Sequence, residues 1–178
     1  MNEVKLEQIE KVTELLQYFT GTVTTTTATR TYAATSIESG LAVGDKIVIA
    51  GCAQTNSNGT KTIESVATNS ITVVEAIGTG EGPTASVTMN QELQGTWQES
   101  QRYTTLTGSI NTSGAAIIYI DQSANGVDTD YTTTWAVTAA TALAYSAEVV
   151  LPFARIRVRT NAADQTIMRA YLFGRKVS

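Results

Sequence analysis

Histidine is absent from the chain. That removes every Ser-His and Cys-His nucleophile pair, and every histidine-ligated metal site, at once. Cysteine occurs once, at Cys52, so neither an intramolecular disulfide nor a thiolate metal cluster can form. Charged residues make up only 16% of 178 positions, against about 25% in ordinary globular domains. No apolar run approaches ~18 residues, so no membrane-spanning helix is expected. The start, Met1 to Lys5, lacks the apolar stretch of a secretory signal. A net charge of −4 argues against a general nucleic-acid binder. These absences point away from an ordinary enzyme, and no catalytic residue, metal ligand or cofactor is assigned.

Threonine fills the gap: there are 31, and they favour β structure. With 42% hydrophobic residues the chain can form a packed core. The expected class is mainly β, in three parts. These are an N-terminal α-helix serving as an assembly arm (residues 1–20), a small β-barrel-like module (21–89) and an antiparallel β-sandwich (90–178).

The helix expectation rests on residues 3–19. They hold Glu3, Glu7, Glu10 and Glu14, good helix formers, and no glycine or proline. Ile9, Val12, Leu16 and Phe19 recur at spacings of 3, 4 and 3, one face of a helix. About five turns are too short to stand alone, so this face must pack on something. Docking on the chain's own β body and association with another molecule are weighed evenly.

Beyond Thr20-Gly21 the threonine run to Tyr32 reads as a strand of weak register, or an edge that pairs with another chain. From Gly44-Asp45 the pattern sharpens into short strands split by turns at Asn58-Gly59 and Asn69-Ser70. Gly78 to Pro83 reads as a linker, and Ala85 to Met89 as a closing strand. Further strands are expected at Thr96 to Ser100, Gly114 to Asp121, Trp135 to Thr138, Ala154 to Thr160 and Thr166 to Phe173. Ala136 to Ala147 is alanine-rich, but its threonines and missing charges favour loop or strand over helix.

Two stretches resemble known proteins. Gly44 to Gly51, Asn58 to Val66 and Ser70 to Glu75 resemble a small β module recurring in tailed-bacteriophage structural proteins. Lys61-Thr62 stands where that family often has an aromatic. Gly95 to Ser100, Ile118 to Gly126, Pro152 to Asn161 and Thr166 to Arg169 are similar to a β-sandwich of phage virion proteins. Together they cover about three quarters of the chain. The resemblance implies a virion component and no catalytic residue.

Four clusters can be weighed. Asp121, Asn125, Asp128 and Asp130 gather oxygens that calcium accepts, but hairpin-turn chemistry explains them better. Arg155, Arg157 and Arg159 alternate with Ile156 and Val158, which places three guanidiniums on one strand face. Residues 151–178 carry a net +5 and the rest of the chain −9. With no aromatic on that strand, nucleic acid is disfavoured, and an intermolecular contact with carboxylates of a neighbour is expected. Trp97, Tyr119, Tyr131, Trp135 and Tyr145 offer a sugar-stacking alternative to plain core packing. Glu99 and Glu148 read as surface charges rather than a glycosidase pair, and Cys52 as a half-buried spectator.

The expected function is a structural component of a bacteriophage particle located in the virion. The favoured form is an oligomeric capsid decoration or cement protein acting by adhesion. Its expected partners are itself, as a homotrimer or higher oligomer, and the major capsid or other virion proteins. Its expected interface residues are Ile9, Val12, Leu16 and Phe19 with Arg155, Arg157 and Arg159. The alternative is a tail or fibre protein that binds a host glycan.

Overall fold

The computed structural model describes residues 4–12, 16–80, 82–161, 164–166 and 168–177. In chain order the strands are β1 (Val4–Val12), β2 (Tyr18–Thr26), β3 (Thr31–Ala33), β4 (Lys46–Ala50), β5 (Gly59–Ala67), β6 (Ser70–Val73) and β7 (Thr84–Gln94). There follow β8 (Gln98–Glu99), β9 (Thr105–Thr112), β10 (Ala116–Ser123), β11 (Tyr131–Val137), β12 (Ala142–Glu148), β13 (Phe153–Thr160) and β14 (Met168–Val177). The pairings described are all antiparallel. The chain divides into two compact units: Leu16–Glu92 with Ala162–Asp164, and Met1–Leu15 with Leu93–Asn161 and Gln165–Ser178.

The expected N-terminal helix is a correction. Among the described residues there is no α-helix, and the segment forms β1 and the start of β2. Residues 1–3 and 13–15 of the expected helix lie outside the described residues. β1 pairs along its length with β14, from Val4 opposite Val177 to Val12 opposite Ala170. The register shifts between Gln8 and Glu10. A bulge adds one residue and resets the two-residue period, so apolar spacings of three fit a strand as well as a helix. The ladder's long-range hydrogen bonds then outweigh helix propensity, which is a weak preference.

The Leu16–Glu92 unit is a closed barrel. Its strands run β7-β2-β3-β6-β5-β4, and β4 pairs back onto β7. The threonine run is therefore an interior strand, since β2 is bonded to β3 on one side and β7 on the other. It is not an open edge. Its period-2 burial puts Val23 and Thr25 inside and Thr22, Thr24 and Thr26 outside.

Val23, Tyr32, Ile47, Ile49, Ile63, Ile71, Val73, Val87 and Met89 are buried in the barrel core. The β5 register shifts between Ile63 and Ser65, and Val66 then packs against this core. Gly51 has φ +95, and a Cβ there would stand 2.8 Å from the Ser86 carbonyl oxygen, so only glycine fits. Asn69 takes φ 57 in the tight β5–β6 turn. Gly78 to Pro83 connects β6 to β7 inside the unit.

Lys61 lies on β5 of this unit. It is buried, and its ammonium donates to the carbonyls of Asn56 (2.8 Å) and Ala76 (3.1 Å). Nearby Glu75 accepts from the Thr62 amide (2.7 Å) and hydroxyl (2.8 Å). Burial pushes the Glu75 carboxyl up, but the Thr62 bonds and the Lys61 charge outweigh it. The group titrates below the usual carboxylate range.

The other unit is sandwich-like, with two sets of strands. One is β1-β14-β9-β12. The other contains β11-β10-β13, with β8 also on β13. In the first set Leu106, Ile110, Ala170 and Leu172 are fully buried. In the second Ile118 pairs with Val158 and Ile120 with Ile156, all at 0% exposure. Ala142 to Glu148, within the alanine-rich stretch, is strand β12 on β9.

Two glycines in this unit lie under tyrosine rings. Gly108 pairs across β9–β12 with Tyr145, whose hydroxyl donates to the Tyr171 carbonyl oxygen. A Cβ on Gly108 would stand 2.5 Å from the Tyr145 hydroxyl oxygen and would strike the Tyr171 carbonyl. Gly174 is covered in the same way by Tyr103. Gly108→Ala should therefore destabilise the unit by about 1–3 kcal/mol through overpacking. Tryptophan fluorescence during urea unfolding reads this, because Trp97 and Trp135 both belong to this unit. An unchanged midpoint would mean that the ring and the backbone move aside at no cost.

Candidate functional site

β13 owes its strand form to strict alternation, Ala154, Ile156, Val158 and Thr160 buried and Arg155, Arg157 and Arg159 on the other face. The β10 register sets Asp121 opposite Arg155, Tyr119 opposite Arg157 and Ile117 opposite Arg159. The sequence reading assigns the carboxylate partners to a neighbouring molecule. The structure supplies one from within the chain.

Asp121 is fully buried. Its Oδ2 accepts from Arg157 Nε at 2.9 Å and from Arg155 Nε at 3.3 Å. Its Oδ1 accepts from Arg157 Nη2 at 3.1 Å and from the Thr132 hydroxyl on β11 at 2.8 Å. The Arg157 contact is two-pronged, the strong form of this pair. One carboxylate thus ties together β10, β11 and β13. Burial pushes the Asp121 carboxyl up, but the bond and charge of Arg157, the Thr132 hydroxyl and the Arg155 charge outweigh it. The group titrates below its ordinary value.

Aromatic rings complete the cluster. The Arg155 guanidinium lies 4.3 Å from the centre of the Trp97 ring. Arg157 lies 3.9 Å and Arg159 5.6 Å from that of Tyr119. Such contacts hold a cation flat against a ring. The side chains of Arg155 and Arg157 are only 15% and 18% exposed. The arrangement is a clamp: its one carboxylate is filled with four donors and cannot act as a base.

The remaining sequence candidates sit apart. Leu16 is fully buried and Phe19 packs partly buried on the barrel core. Ile9 and Val12 belong to β1 in the other unit, and their side chains lie outside what the structure describes. The five rings do not form one surface. Trp135 and Tyr145 pair at 5.3 Å, Trp97 and Tyr119 serve the arginines, and Tyr131 is 48% exposed on β11.

The Asp/Asn loop is occupied by its own backbone. Asn125 Oδ1 accepts from the Val127 (2.9 Å) and Asp128 (3.0 Å) amides, and Asp130 Oδ2 from the Ala124 amide (2.8 Å). Among the described residues no group of three or more acidic or cysteine side chains is placed to hold a metal ion. Cys52 is buried and takes part in no disulfide. Glu99 lines an open polar cleft with Gln8, Gln98, Arg102 and Tyr103, where Arg102 bonds Glu7 at 2.8 Å.

Sequence reasoning missed the role of Asp121 and the two rings on the arginine face. The available signal was a lone carboxylate inside Ala116 to Ile120 and Gln122, an otherwise uncharged strand. A buried carboxylate requires a cation. It also missed the outer edge of β11. This strand ends its sheet, and among the described residues nothing pairs with its far side. Comparison with protein-family models finds no match, and comparison with curated proteins finds none.

Proposed function

We propose that this chain is a structural component of a bacteriophage particle, an oligomeric capsid decoration or cement protein that works by protein–protein adhesion. The reading begins from the phage-like stretches of the sequence. The structural observation that carries it is the β11 edge. Residues 131–147 contain no charged side chain, glycine or proline, and β11 within them is exposed at Tyr131, Thr132, Thr134 and Ala136. Monomeric proteins protect such edges with charges, prolines or bulges. An edge left open and neutral suits a protein whose task is to join others.

The test is made on the particle. The protein should co-purify with intact virions through a density gradient, and the purified full chain should rebind particles that lack it. If the chain is found only in the infected-cell lysate and never on particles, the proposal fails.

A further inference from the structure

We infer that β11 is a self-association surface, and that a second copy of this chain adds its own β11 antiparallel across a two-fold axis at Thr134. The inference rests on the adhesion reading above and names one contact through which the oligomer forms.

The first reason is topological. In the Leu93–Asn161 segment β11 is bonded to β10 from Gln122 opposite Tyr131 to Ala116 opposite Val137. Its other side carries a row of backbone N–H and C=O groups that a further strand can bond.

The second reason is electrostatic. Self-pairing places each residue opposite its mirror in the same sequence, and a charged strand meets like charges somewhere along that register. β11 carries none. The nearest acids, Asp128 and Asp130, fall opposite positions 140 and 138 in a register centred on residue 134. Those positions are Ala140 and Thr138. No acid meets an acid. β1, by contrast, carries Lys5, Glu7, Glu10 and Lys11, the charged kind of edge that discourages pairing.

The third reason is the match of side chains. In that register Thr134 meets Thr134 of the partner subunit, Thr133 meets Trp135 of the partner subunit, and Tyr131 meets Val137 of the partner subunit. Thr–Thr and aromatic–β-branched pairs are among those that stabilise antiparallel sheets. Every pair occurs twice by symmetry except the one on the axis, as an isologous contact requires. Thr132 and Thr134, exposed on one face, continue a polar surface across the joint.

Sedimentation of the full chain across about 1 μM to about 1 mM tests this. The wild-type chain should reach at least twice its 18.9 kDa mass as concentration rises. Thr134→Lys puts two ammonium groups on the axis and should weaken association by about tenfold or more, with the circular dichroism unchanged. Thr134→Glu should do the same. Mixing the two variants should restore association, because the axis then holds one charge of each sign.

The inference is overturned if the wild-type chain stays monomeric throughout. It is overturned if Thr134→Lys assembles like wild type, or if the mixture of variants does not recover. Particle binding separates the two readings. A chain that binds virions as a monomer sinks the self-association alone. A chain that dimerises but never occurs in virions sinks the particle role alone.

Discussion

Asp121→Asn is expected to cost the sandwich-like unit about 3 kcal/mol at neutral pH. Removing one partner of a buried ion pair leaves the other charge without compensation, which costs ~3–5 kcal/mol where burial is complete. Here two arginines depend on one carboxylate, and their side chains keep 15% and 18% exposure, so the lower end applies. Asparagine preserves shape and one acceptor oxygen. It removes the charge and offers an N–H toward the guanidiniums.

The effect should depend on pH in a defined direction. The folded carboxyl titrates below its unfolded counterpart. Its stabilisation is therefore complete above the ordinary aspartate value near 3.9 and is lost as pH falls through the lower folded value. Wild type and Asp121→Asn should differ most at about pH 6 and converge toward about pH 3. Urea unfolding followed by Trp97 and Trp135 fluorescence measures both arms. A difference that stays constant across that range would mean the carboxylate charge is not what holds the arginines.

That cluster shows what a sequence conceals. Alternation in Ala154 to Thr160 is local, and it places three guanidiniums on one face without any structure. Their partner lies 34 and 36 positions upstream, and pairing of β10 with β13 alone brings it there. The same applies to Trp97 and Tyr119, which in the sequence read as sugar-stacking or core rings and in the fold become the platforms for Arg155 and Arg157. A residue's role in a sheet is decided by its cross-strand neighbours, which the chain does not announce.

Strands bounded by turn chemistry were the most legible. Gly44-Asp45 and Asn69-Ser70 bracket β4 and β5, and Asp45 Oδ2 caps the Ala42 amide at 2.8 Å. The N-terminal segment was the least legible. Apolar spacings of three and four describe a helix face and also a bulged strand, and no glycine or proline separates the two readings. The threonine run was ambiguous in another way. Thr22 to Thr26 has β-propensity on both faces, so edge and interior look alike until β3 and β7 are seen on either side. The quiet stretch after Trp135 was readable as loop or strand, not helix, from its threonines and missing charges. That its neighbour β11 forms an open edge was not, because edges are a property of the whole sheet.

Gln122→Ala should be the second large loss, about 3 kcal/mol, through unpaired backbone groups rather than charge. Gln122 follows Asp121 on β10 and so faces the opposite side, where it is fully buried. Its Nε2 donates to the Glu148 carbonyl at 2.8 Å, and its Oε1 accepts from the Val150 amide at 2.9 Å and the Leu151 amide at 3.2 Å. One side chain thereby satisfies three main-chain groups between β12 and β13. Truncation leaves each without its partner, and a buried orphan costs ~1–3 kcal/mol, less where water can enter. Gln122→Glu is the informative companion. It keeps the two amide donors' acceptor but sets a carboxylate oxygen against the Glu148 carbonyl, so it should lose stability at neutral pH and regain part of it in acid, where a protonated oxygen can donate. Equal stability of the glutamate variant at about pH 7 and about pH 4 would show that Gln122 does not donate to that carbonyl in solution.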